Sequence, residues 1–125
     1  MQGIDKRYLD LFADETRAFA FLASLMPDGS PQVTPVWFNT DGEHILVNSA
    51  KGRVKDQNMR RSPQVALVIM ALDDPYRYVQ VRGEVVEIEE SGAEEHIHAL
   101  SMKYRGRKFE IPEGQTRVRY KIRPY

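Results

Sequence analysis

Residues 44–69 read HILVNSAKGRVKDQNMRRSPQVALVI. HILVNS (44–49) is a short apolar run of strand length, and VALVIMAL (65–72) is another. Between them RVKDQNMRR (53–61) consists mostly of good helix formers. It stops before Ser62-Pro63, where the residue preceding proline is pushed out of the helical region. The stretch therefore predicts strand, turn, helix, strand. From Lys51 to Arg61 it also holds five cations against Asp56 alone, in a chain whose 18 Lys+Arg balance 18 Asp+Glu.

The rest of the chain continues the strand pattern. AFAFLASL (18–25), the turn PDGS (27–30), QVTPVWF (32–38) and the turn NTDG (39–42) lead into HILVNS with the spacing of a meander. After Asp73-Asp74-Pro75, YRYVQVRGEVVEI (76–88) alternates, with Tyr76, Tyr78 and one side of the valines expected inside and Arg77, Gln80 and Arg82 outside. TRVRYKI (116–122) reads as a closing strand. Helices are fewer. Ser91 and Glu94 form a capping-box pattern, followed by the stripe Ala93, Ile97, Leu100, Tyr104, and a short helix is expected near Asp5–Phe12. Roughly six strands with two or three helices predict a mainly β chain, one domain over residues 1–125, closed or nearly closed as a barrel.

Composition narrows the function. Hydrophobic residues at 42% and charged residues at 29% are globular values. The zero net charge argues against a nucleic-acid coat, although Tyr76, Tyr78 and Trp37 are side chains on which bases stack. The chain has no cysteine, which removes disulfides, thiolate-ligated metals and thiol catalysis. No apolar run approaches a membrane span and MQGIDKRYLD has no signal-peptide core, so the expected compartment is cytoplasmic.

The basic stretch has two readings. At a strand-to-helix turn the first backbone N–H groups lack partners and the helix dipole adds positive charge. Ser49, Gly52, Lys51, Arg53 and Lys55 would then make an anion cradle, with Lys51, Lys55 and Asn58 on one face if the helix reaches back that far. The other reading is a solvated helix with its cations in water. His96 and His98, two apart on a helix, point to different sides and suggest a surface helix rather than a metal site. Trp37 is either core or the wall of a flat-ring site, and Gln80 is a polar residue in an apolar strand that needs a partner or a cavity. No catalytic acid, base, nucleophile or metal site stands out, so reactivity would have to come from a cofactor.

The ordered set PDGSPQVTPVWF, GEHILVNSAKGRVKDQNMRRSPQVALVI and YRYVQVRGEV resembles the pyridoxamine 5′-phosphate oxidase-like superfamily, the flavin- and deazaflavin-dependent split β-barrels. The resemblance spans about residues 10–123 and implies an FMN-binding split barrel that is an obligate homodimer, with cofactors between subunits. It places Ser49, Lys51, Arg53, Lys55 and Asn58 at the cofactor phosphate or the tail beyond it, and Val33, Thr34, Pro35, Val36 and Trp37 beside the ring. Gln80 matches a glutamine that, in the oxidase branch, reaches the flavin from the partner subunit. The ending KIRPY lacks the arginine-proline-rich tail of the oxidase branch, and KGRVKDQNMRR looks more like the branch using coenzyme F420. The resemblance thus implies hydride transfer between F420 and a small unsaturated substrate. FMN is the alternative cofactor, and a protein that only stores or senses cofactor is the alternative role.

Overall fold

Alternation along the apolar runs becomes a single curled sheet. In the computed structural model, which describes residues 1–125, the strands are β1 (Phe19–Leu25), β2 (Pro31–Val36), β3 (Phe38–Thr40), β4 (Ile45–Ala50), β5 (Gln64–Ala71), β6 (Asp74–Glu89) and β7 (Arg117–Pro124). Two α-helices, α1 (Val54–Arg61) and α2 (Ala93–Arg105), and two 3₁₀ segments at Lys6–Phe12 and Asp14–Thr16 complete it. The strand order is β2-β1-β5-β6-β7-β4-β3, and every pairing is antiparallel.

QVTPVWF is not one uninterrupted strand. β2 pairs with β1 at one end of the order and β3 pairs with β4 at the other, yet Trp37 alone separates them. Two peptide units span at most about 7 Å, so the sheet must curl until its ends meet at Trp37. Seven strands then enclose a barrel of six staves, one of them broken where it changes partner. The successive pairings expected of a meander are present, β1 with β2 and β3 with β4, but the middle strand is broken at Trp37, and the turn into β4 starts at Asp41 because Asn39 and Thr40 are in β3. Pro35, which has no N–H to give, is accommodated because β2 is hydrogen-bonded on one side only. β6 makes a second corner, pairing first with β5 and then with β7. Gly83 sits there because a Cβ would lie 2.5 Å from the Arg123 carbonyl oxygen.

The barrel interior is filled from β1 (Ala20, Leu22), β5 (Val65, Leu67, Ile69), β7 (Val118, Tyr120, Ile122) and β4 (Ile45, Val47), with Phe38 from β3. Leu11 and Phe12 from the first 3₁₀ segment and Met59 from α1 plug the gaps. On β6 the inward residue is Val81, with Val79 partly buried against the core, whereas Tyr76, Tyr78 and Gln80 share the outer, exposed face. The expected placement of the two tyrosines inside is therefore reversed, because the period-two register counts from Val81. The Ser91 capping box does not form. Gly92, in the left-handed region, is the N-cap of α2, and no side chain caps it.

α1 is pinned by two buried polar side chains. Asp56, 2% exposed, accepts from the Gly52 N–H at 2.8 Å, from Arg60 Nε at 3.0 Å and from the Tyr120 hydroxyl at 2.5 Å. Asn58 donates to Ser24 Oγ at 3.1 Å and accepts from Arg61 at 2.6 Å. The chain enters the helix through Gly52 at φ +93°, a conformation that disfavours a side chain. Burial raises the Asp56 carboxyl, but the Gly52 N–H, Tyr120 and Arg60 outweigh it and leave the group below the ordinary carboxylate range. Asp56→Ala strands a buried hydroxyl and frees the turn, and should cost about 3 kcal/mol by urea unfolding. A loss below about 1 kcal/mol would show that Asp56 does not hold α1 to the barrel.

Candidate functional site

The seam at Trp37 opens into a cleft of about 310 Å³. One wall is apolar, built from Phe19, Pro35, Val36 and Trp37, and faced by Ile97, Leu100 and Phe109. Trp37 lies flat on Tyr104, with ring centres 5.5 Å apart and planes 6° from parallel, and Phe109 meets it edge-on at 6.4 Å. The Tyr104 hydroxyl donates to the Ala18 carbonyl at 2.8 Å, which locks the stack. Burial pushes that phenol up to about 12. A rigid slot with aromatic and proline walls suits a flat ring.

The rest of the lining is Asn48, Arg53, Lys55 and Arg117, with no carboxylate. The five cations of the basic stretch are sorted by their partners. Lys51 pairs with Glu90 at 2.9 Å, Arg60 with Asp56, and Arg61 with Asn58 and the Leu25 carbonyl. Arg53 and Lys55 make no side-chain hydrogen bond or ion pair and line the cleft, joined there by Arg117 from β7. Burial, then the neighbouring Arg53 and Arg117, pull the Lys55 ammonium below the usual lysine range. Burial and Arg53 lower the Arg117 guanidinium in the same way. Such crowding of like charge is relieved by an anion.

Of the residues expected from the sequence, the structure brings Pro35, Val36, Trp37, Arg53 and Lys55 together in the cleft. The others lie elsewhere. Val33 is exposed on β2, and Lys51 precedes α1 rather than belonging to it, so it shares no helical face with Lys55 and Asn58. Asn58 is 1% exposed and committed to Ser24 and Arg61. Thr34 and Ser49 carry hydroxyls that are buried without a partner in the chain. Gln80 is exposed on β6, away from the cleft lining. Sequence reasoning missed Asn48, Arg117 and Phe109, along with Phe19, Ile97 and Leu100.

His96 is also not where the surface-helix reading put it. It is 7% exposed, between Asn48 Nδ2 at 3.1 Å and Asn39 Oδ1 at 2.8 Å. Burial, with Arg119 and Arg117 nearby, lowers its ring to about 4. No group of metal-binding side chains is present, and no helix is long and apolar enough to cross a membrane.

A family model described as pyridoxamine 5′-phosphate oxidase matches residues 5–124. The chain belongs to this family. It has the flavin-binding oxidoreductase fold of the pyridoxamine 5′-phosphate oxidase family, the split barrel whose seam is the cleft. Among solved structures, an F420 reductase is 33% identical with a TM-score of 0.86, over 98% of this chain and 96% of its own. A conserved hypothetical protein of Mycobacterium tuberculosis is 23% identical with a TM-score of 0.73, over 97% of this chain and 81% of that one. A NimC/NimA family protein of Clostridium acetobutylicum is 22% identical with a TM-score of 0.63, over 93% and 80%. These last two share the fold.

The lowered His96 ring gives a signed prediction. Between pH 6.5 and about 4 the unfolded chain takes up a proton that the folded chain refuses. The stability that neutral His96 contributes is complete above pH 6.5 and is lost as pH falls to about 4. The loss is at most about 3 kcal/mol. In paired urea titrations, the stability gap between wild type and His96→Gln should narrow over that window. A gap that stays constant would contradict the buried neutral ring.

Proposed function

We propose that this protein is an F420-dependent oxidoreductase that works as a homodimer on a small, electron-poor unsaturated molecule. The observation that carries the reading is the joining of an aromatic slot to three cations, Arg53, Lys55 and Arg117, without a carboxylate among the lining residues. The F420 reductase at 33% identity, matched along nearly the whole of both chains, supports it. Three cations gathered at one cleft suit the negatively charged phosphodiester that F420 carries.

The residues present fit such a group. Arg53, Lys55 and Arg117 would hold its phosphodiester, and Pro35, Val36 and Trp37 would flank its ring. Thr34 and Ser49 do not line the cleft; they share the barrel-interior face with Leu22 and Val118, so their unpaired hydroxyls are not part of the set. Lys51 and Asn58 drop out of the set because Glu90 and Ser24 already engage them. Bound in its reduced form, F420 would supply a hydride from its ring to an electron-poor C=C or C=N bond and be left oxidised. The chain's own part is to bind, orient and exclude water: the apolar wall keeps the slot dry and the Trp37–Tyr104 stack fixes its plane. Tyr104 is unsuited to give a proton, since its hydroxyl is bound to Ala18. No carboxylic acid or histidine lines the cleft, so solvent is the proton source in this reading.

The dimer rests on the outer face of the β2-β1-β5-β6 half of the sheet. Phe21, Val68 and Gln80 lie in one row across it, and Phe19, Met70 and Tyr78 in the next. Phe19, Val33, Tyr76 and Tyr78 stay open to solvent there. A contiguous apolar sheet face of this kind is stable when covered, and a second copy brings its Gln80 with it. Sedimentation of wild type should give a dimer, and Val68→Arg a folded monomer with reduced cofactor affinity. A monomeric wild type would remove the partner from the account.

Fluorescence titration with F420 and FMN side by side tests the cofactor. F420 should bind at least about ten-fold more tightly, and Lys55→Ala should weaken it by about 1–3 kcal/mol. Tighter FMN binding would assign the protein to FMN. Binding of neither would end the cofactor reading.

A further inference from the structure

Arg117 is held in the cleft by a chain of side chains whose hydrogen-bond roles leave no freedom. Its Nε–H donates to Asn48 Oδ1 at 3.0 Å, and its Nη1 donates to Gln115 Oε1 at 2.7 Å. Asn48 turns its amide nitrogen towards the Ala93 carbonyl at 2.9 Å and His96 Nδ1 at 3.1 Å. A guanidinium can only donate, and a backbone carbonyl can only accept. A flipped Asn48 would set its NH2 against Arg117 and its oxygen against the Ala93 oxygen, so the amide has one orientation. Its second N–H then points at His96 Nδ1, which must present a lone pair. The ring proton therefore sits on Nε2, where Asn39 Oδ1 accepts at 2.8 Å.

We propose that His96 is a positioning residue of the anion site: its Nδ1 lone pair, together with the Ala93 carbonyl, holds the Asn48 amide in place, and Asn48 holds the Arg117 guanidinium. This rests on reading the cleft as an anion site. His96 does not line the cleft, so it acts at one remove, through a residue that does. The network ties Asn39 on β3, Asn48 on β4 and Arg117 on β7 to His96 on α2, the helix that also lines the cleft with Ile97 and Leu100. Arg119 and Arg117, the charged groups that face the ring, oppose a second proton on it. A doubly protonated ring would turn an N–H against the Asn48 NH2 and release Arg117 from its acceptor.

The test uses the full chain as wild type, His96→Leu and His96→Gln, with two readouts. The first is the affinity for F420 and for FMN. The second is the NMR signal of the Arg117 Nε–H, which reports its bond to Asn48 whether or not any cofactor binds. His96→Leu should weaken binding about five-fold and speed exchange of the Nε–H with water, at unchanged far-UV circular dichroism. His96→Gln, whose Oε1 can accept from Asn48, should restore most of both. A folded His96→Leu with wild-type affinity and a wild-type Nε–H signal would overturn the proposal, as would a glutamine variant no better than leucine. If the leucine variant does not fold, the wild-type histidine spectrum decides: the Nε2–H tautomer supports the proposal and the Nδ1–H tautomer refutes it. If wild type binds neither F420 nor FMN, the cofactor reading fails and the Nε–H comparison still decides the role of His96.

Discussion

One residue closes this molecule. Val36 belongs to a strand at one end of the sheet order and Phe38 to a strand at the other, and Trp37 alone separates them. That distance allows no flat sheet. The strands must curl and the long β6 must bend, which is why Gly83 stands against the Arg123 carbonyl. The same constraint fixes where a ligand can enter. A strand changing partner leaves its ladder locally, and the cleft opens beside that break with Trp37 as a wall.

The charges around the cleft follow a second rule, in which folding takes some cations and leaves the rest. Asp56 draws Arg60 and Tyr120 inward and Glu90 draws Lys51 away. What remains is the exposed Arg53 and the half-buried Lys55, beside the buried Arg117, and burial does not favour free cations. Crowding that no group in the chain relieves is a cost to the folded state, and it has a use only if an anion arrives. The neutral total of the sequence hides this, because the balancing carboxylates are on β6, α2, the 3₁₀ segments and the turns rather than in the cleft.

Much of the fold could be read in advance because it depends on local pattern. The strand of VALVIMAL follows from its apolar run and flanking turns, and the helix of RVKDQNMRR from its composition and the proline beyond it. Trp37 as a break could not be read, since nothing in QVTPVWF marks a change of partner and the reason lies in strand order. Arg117 escaped for a related cause. TRVRYKI alternates as a strand with one wet face, but α2 lies across part of that face and turns Arg117 into a buried cleft residue. His96 was misplaced because a helix stripe built on apolar residues omits a histidine whose polar partners come from β3 and β4. Local pattern locates elements, whereas the site depends on which elements become neighbours.

Lys55 offers the most direct test of the central claim, that unpaired cations are held at the seam for an anion. Its ammonium can be followed by NMR across an alkaline titration, in the free protein and with F420 bound. The account predicts that Lys55 titrates below the ordinary lysine range when free, because of burial and the adjacent Arg53 and Arg117, and moves upward when the ligand's negative charge arrives. A Lys55 that titrates like a solvated lysine in the free protein, and does not move on adding F420, would show that the cations face water and that the cleft is not an anion site.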